Sequence, residues 1–256
     1  MEWFRWNDMK PNEEKCHLFV VNKSLDLTVH LRDKEIKSSK TVDLLGIKID
    51  NKLNFSEHVT KLCKKGNQKL HALARISKYI DKQKLKILMN TFITSHFNYN
   101  PLVWMFHNRT INNKINRLHE RALRIVYDNE KLSFQELLDL DGAVTIHHKN
   151  LQKLATEMYK IKNNLSPSPM NNLFQICDNK YNLRNKRCWE PRNVKSSIYG
   201  SETVSFRGPK TWDMLPTNIK EAKSLDEFKA RVKHWVPNNC TCRICRTYIA
   251  ALGFID

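Results

Sequence analysis

The sequence predicts an α+β chain that is mainly α, with a small antiparallel sheet at its N-terminus, a helical bundle after it and a small C-terminal module. Only six of 256 residues are glycine, too few for the positive-φ turns and close backbone approaches of a nucleotide-binding α/β fold or a sheet-rich sandwich. The period of the apolar residues changes from two to 3.6 at Ser56. No proline interrupts residues 12–100, which leaves room for long helices. With 41% hydrophobic and 9% aromatic residues, the chain is too apolar for a disordered basic tail, and at this length a fold buries roughly 70 to 75% of its unfolded surface.

After a Trp-rich opening (Trp3, Phe4, Trp6), Pro11 breaks any helix and residues 16–21, CHLFVV, read as a short strand. Residues 25–36 alternate in part, with Leu27, Val29 and Leu31 on one side and Asp33 and Lys34 as a turn. Residues 41–50, TVDLLGIKID, read as a third strand in which Gly46 marks a bulge or a close contact. A helix is expected from Ser56 to about Tyr79, a second carrying Leu85, Leu88, Met89, Phe92 and Ile93, and a third carrying Ile111, Ile115, Leu118, Ala122 and Ile125. A fourth runs from about Val144 to Asn163 through Leu151, Leu154, Met158 and Ile161. The SPSP at 166–169 closes the helical block as a linker. Beyond it, residues 201–206 read as a strand, and residues 224–235, SLDEFKARVKHW, as a short helix with Ser224 as N-cap and Glu227 at the capping-box position. The expected organisation is residues 1–55, 56–165 and 166–256.

Forty-four Lys and Arg against 26 Asp and Glu give a formal charge of +18 and a pI of about 9.6, which points to a polyanionic partner. The charge is concentrated. From Lys61 to Lys86 there are nine basic residues and a single acidic one, Asp81. Lys61, Lys64, Lys65 and Arg75 share one sector of a helix, away from Leu62, Leu70 and Leu73. Lys114, Arg117, Arg121 and Arg124 line up beside the apolar stripe of the third helix. A further basic and aromatic stretch carries Arg184, Lys186 and Arg187 near Tyr181 and Trp189. One basic helix face is commonly just solvated; three of them in one chain favour nucleic-acid binding.

Catalytic patterns are scarce. Isolated Gly46 and Gly66 make no phosphate loop, no His-Glu-x-x-His occurs, and no Asp-Asp dipeptide is present. His147 and His148 are adjacent, about 100° apart on a helix, and read as a satisfied surface pair. No apolar run is long enough to span a bilayer, and the first residues lack the apolar core of a signal peptide, so an intracellular, non-secreted protein is expected. Seven cysteines, an odd number, disfavour a disulfide framework. Three of them cluster as Cys240, Cys242 and Cys245, and with His234 they make a candidate zinc site, because tetrahedral zinc prefers thiolates and imidazole.

Several blocks carry a family likeness. NDMKPNEEKCHLFVV (7–21) followed by VDLLGIKIDNKLNFSEHV (42–59) resembles the part of non-LTR, LINE-type and jockey-like retrotransposon reverse transcriptases that follows their catalytic aspartate pair. SHFNYNPLVWMFHNRTINNKINRLHERALRIVY (95–127) is similar to their thumb, and FRGPKTWDMLPTNIK (206–220), the 224–235 helix and CTCRICRTYIAALGFI (240–255) resemble their C-terminal end. The resemblance implies a palm remnant with primer-grip-like strands, a helical thumb-like domain and a basic C-terminal module with a Cys-rich tail. It implies Lys15 as the palm-motif lysine able to protonate pyrophosphate, and Leu45, Gly46 and Ile47 as the primer-grip turn. RNA and DNA, as a template-primer duplex, are the implied partners, in a nuclear or cytoplasmic ribonucleoprotein, and magnesium is the cofactor of the full-length enzyme. Without the aspartate pair the expectation is a truncated RNA-directed DNA polymerase that binds nucleic acid but is inactive alone. The alternative is a repurposed RNA/DNA-binding or protein-interaction module.

Overall fold

The computed structural model describes residues 2–10, 12–22, 25–31, 34–177, 188–190, 193–194, 200–237 and 240–245. The chain divides into two units, residues 1–58 and 59–256.

In the first unit a short helix α1 (Glu2–Trp6) and a 3-10 turn (Glu13–Lys15) precede five strands. These are β1 (Leu18–Phe19), β2 (Thr28–Leu31), β3 (Lys34–Ser39), β4 (Thr41–Leu44) and β5 (Ile47–Asp50). β2 and β3 pair antiparallel with Val29 opposite Ile36, while β1 adds to the other edge of β3 in parallel. The expected 41–50 strand is instead the β4–β5 hairpin, with Leu44 opposite Ile47. Leu45 (φ 48°) and Gly46 (φ 80°) both adopt positive φ, the two-residue turn whose twist matches the strands it joins. Gly46 is therefore a turn residue and not a bulge. After β5 the Asp50 carboxylate accepts from the backbone N–H groups of Lys52, Asn54 and Phe55, the last at 2.6 Å. That loop leads into the first turn of α2 (Ser56–Ile76), where Lys48 Nζ pairs with Glu57 at 2.9 Å and the Lys48 N–H donates to His58 Nδ1.

The second unit is helical. α2 ends in a 3-10 turn (Ser77–Tyr79), so the expected end near residue 79 holds. It is followed by α3 (Lys82–Phe92), α4 (Pro101–Trp104), α5 (Arg109–Tyr127), α6 (Phe134–Asp141), α7 (Ile146–Lys162), α8 (Ser168–Asn171), α9 (Val204–Asp213), α10 (Thr217–Lys220) and α11 (Leu225–Val232). α6, which periodicity missed, starts at a complete capping box of Ser133 and Glu136. Residues 204–206, expected as strand, open α9. Their alternation is too short to specify a strand, and Arg207 N–H already donates to the Thr203 carbonyl oxygen at 2.8 Å.

α3 and α6 pack on α5, α5 packs on α7, and α9 and α11 cover α7. Ile111, Ile115, Leu118, Ala122 and Val126 form the buried stripe of α5. α2 comes so close to α5 at Gly66 that a Cβ there would lie 2.5 Å from Leu118 Cδ2. A second apolar cluster joins Leu151, Ala155, Met158 and Tyr159 of α7 to Trp189, Trp212, Phe228 and Trp235, and continues into 240–245.

Candidate metal centre and basic surface

The Thr145 hydroxyl caps α7 by accepting from His148 N–H at 3.1 Å, which fixes the start of the helix that carries His147. Along α7 the buried stripe runs His147, Leu151, Leu154, Met158 and Ile161, so His147 lies one turn before Leu151 on the core side. Next to Leu151, Gln152 Nε2 donates to the carbonyl oxygens of Lys233 and Trp235, at 3.1 and 2.8 Å. Tyr159 Oη donates to the Ala222 carbonyl oxygen at 3.1 Å. The Gln152 bonds lay the chain after α11 along α7, on the way to the cysteines, and the Tyr159 bond ties the residues before α11 to the same helix.

The ligand atoms of His147, Cys240, Cys242 and Cys245 all lie within 4.8 Å of one another, and all four residues are buried. His147 Nε2 is 3.3 Å from Cys242 Sγ, and the Cys245 N–H donates to Cys242 Sγ at 3.4 Å. A tetrahedral ion with bonds of roughly 2.0 to 2.3 Å places neighbouring ligand atoms roughly 3.5 to 3.8 Å apart. The donor set therefore fits a metal ion in identity, number and spacing. His147 Nδ1 is buried with no hydrogen-bond partner, so this imidazole serves the cluster and no polar network of its own.

Electrostatics mark the same place. Cys240 is pulled well below the ordinary thiol range by hydrogen bonds from Cys242 and Cys245. Cys245 is pushed far up because it supplies hydrogen bonds to both. Three thiols crowded into one buried space share protons that a cation would replace. Beside them, burial holds His107 and His148 down to about 4.

The sequence reading had the three cysteines and the wrong histidine. His234 is exposed just past α11 and is not part of the cluster. The supposed surface pair is also overturned, since His147 is buried and His148 half-buried. A signal was present: an imidazole at the four-three spacing of an apolar helix stripe is placed for burial.

The basic residues fall on two neighbouring helices. Lys61, Lys64, Lys65 and Arg75 are exposed on α2, and Lys114, Arg117 and Arg121 are exposed on α5. Arg121 donates to Asn67 Oδ1 at 3.1 Å, and the Lys114 charge reaches Cys63 of α2, so the α5 row borders α2. Among the described residues Lys64, Lys65, Arg75, Lys114 and Arg117 make no ion pair. Arg124 differs: it pairs with Glu120 at 2.7 Å and donates to the Glu130 carbonyl oxygen, which ties down the chain after α5. Arg184, Lys186 and Arg187 lie outside the described residues, as does the tail after Cys245. In the first unit Lys15 is exposed, Leu45 is 78% exposed at the hairpin tip and Ile47 is buried. Among the described residues no helix is long and apolar enough to cross a membrane.

No protein-family model, no curated protein and no solved structure matches this chain.

Proposed function

We propose that this chain is a nucleic-acid-binding portion of a non-LTR retrotransposon reverse transcriptase, contributing thumb-like helices and a zinc-clamped C-terminal segment, and that it does not catalyse polymerisation by itself. The observation that carries the binding function is the pair of exposed basic rows on α2 and α5, in which, among the described residues, Lys64, Lys65, Arg75, Lys114 and Arg117 make no ion pair with a carboxylate. Such a surface tracks phosphates and not base edges. The 256 residues hold no Asp-Asp dipeptide, which favours binding without phosphoryl transfer and keeps a repurposed RNA- or DNA-binding module as the second reading.

The direct test is equilibrium binding of the purified chain to an RNA–DNA hybrid over a range of salt. If six side chains meet phosphates, the log-log slope is about −5, and the Lys114→Gln/Arg117→Gln/Arg121→Gln variant lowers its magnitude by about 2.7. Binding that ignores salt would sink the proposal. Primer extension in magnesium by the wild-type chain would overturn its catalytic half.

Zinc is the ion we assign to the cluster, because three thiolates and one imidazole in a buried, closed set are the donors of a structural zinc site. When bound, it supplies a cross-link and no chemistry. His147 and the three cysteines hold it, and α7 is thereby joined to the C-terminal segment. Purified protein should carry one zinc per chain, lost in His147→Ala and in Cys242→Ser and kept in His234→Ala.

A further inference from the structure

Zinc bound by three thiolates and a neutral imidazole leaves one net negative charge, and all four ligands here are buried. A buried charge of this kind needs a nearby cation or hydrogen-bond donors. Arg207 of α9 and the cysteines Cys240 and Cys242 line the same cavity of about 230 Å³. The Arg207 side chain is only 9% exposed. One of its terminal nitrogens pairs with the equally buried Glu202, yet its Nε is buried with no hydrogen-bond partner. Its charge is felt at Cys240. Lys210, the other cation of that cavity, is exposed and lies over the Phe206 ring at 4.2 Å.

The pair with Glu202 uses one terminal nitrogen of Arg207. A guanidinium is planar and presents five N–H donors, and the one on Nε is left without a partner. From this placement we infer that Arg207 is a positioning residue of the metal centre: its guanidinium is the buried counter-charge of the zinc–thiolate group, bridging that group to Glu202 and so fastening α9 to the metal-bound segment. The inference rests on the assignment of zinc given above. It adds a function for a buried arginine that the polynucleotide surface does not use, since α2 and α5 carry that surface.

The test uses the full chain and zinc alone, with affinity measured by chelator competition near neutral pH and cobalt substituted for zinc as a spectroscopic report. Arg207→Gln should weaken zinc binding about 10- to 100-fold and shift the thiolate-to-cobalt charge-transfer band. Arg207→Lys, which keeps the charge and loses the planar donor edge, should fall between that variant and wild type. Glu202→Gln leaves the guanidinium facing the cluster and should keep wild-type affinity or better it. Should Arg207→Gln fail to fold because Glu202 is left buried and unpaired, the double variant Glu202→Gln/Arg207→Gln removes that conflict and should show the same loss of affinity. The inference is overturned if the Arg207 variants lose thermal stability but bind zinc and colour cobalt as wild type does, for Arg207 then serves Glu202 alone. A wild-type chain that binds neither metal overturns the zinc assignment first and this inference with it.

Discussion

The two units differ in how they hold their apolar side chains. In residues 1–58 the described strands are short, and among the described residues there only Ile47 and His58 are fully buried. Trp6, Val29, Leu44 and Leu45 stand largely in the open. In residues 59–256 whole helix stripes are buried, and aromatic rings stack in series: Tyr159 on Phe228 at 4.4 Å and Phe228 on Trp212 at 6.1 Å. The first unit keeps its shape by local hydrogen bonds, such as those to Asp50, and the second by long-range packing. Burial stabilises in proportion to apolar area, at roughly 25 cal/mol per Å², so the two units should respond differently to the same insult.

Metal removal is the strongest way to break the comparison. Chelation, or Cys242→Ser, should lower the melting temperature of the helical unit by about 10 °C or more, because binding free energy of a structural ion is folding free energy. Near-ultraviolet dichroism of the tryptophans around α7 reports it. If the transition does not move, the helical unit owes nothing to the cluster.

Phe228→Ala comes next. The ring is fully buried between Tyr159 and Trp212, and its truncation should cost about 3 to 5 kcal/mol in denaturant unfolding. Val29→Ala in the first unit, where the side chain is half exposed, should change stability by less than about 0.5 kcal/mol. Equal costs at the two sites would contradict the contrast.

A pH dependence should follow from His119, whose imidazole is held down to about 4 mainly by burial, with the Lys149 charge adding to it. The folded state keeps it neutral, while the unfolded chain takes up a proton below about 6.5. Its stabilisation is complete above that pH and is lost as pH falls toward 4, with a slope approaching about 1.4 kcal/mol per unit. The curve for His119→Gln should be flatter over that window. A local effect is expected at Asp50→Ala, about 1 to 2 kcal/mol, seen as faster amide exchange at Lys52, Asn54 and Phe55 with the helical unit unaffected.

Much of the fold was readable because its signals are local. The stripes of α2, α3, α5 and α7 repeat within a turn or two of helix, and Ser224 caps α11 by accepting from the Glu227 N–H. Glu227 itself reaches one residue further back, to the Lys223 N–H. The misreadings lie where local signals are weak. TVDLLGIKID contains a hairpin because Leu45 tolerates positive φ beside Gly46, and no alternation pattern shows that. Residues 201–206 were too few to separate a strand from the start of a helix.

The sequence by itself determined the helical character, the basic rows and the close spacing of Cys240, Cys242 and Cys245, all of which depend on neighbours along the chain. The tertiary structure alone decided which histidine faces those thiols, which arginines of α5 stay in solvent, and which buried cation stands beside the cluster. His147 and Cys242 are 95 residues apart, and only the packing of the C-terminal segment along α7 brings them together. A metal site is a property of converging side chains, so its full ligand set becomes visible only when the elements that carry them have docked.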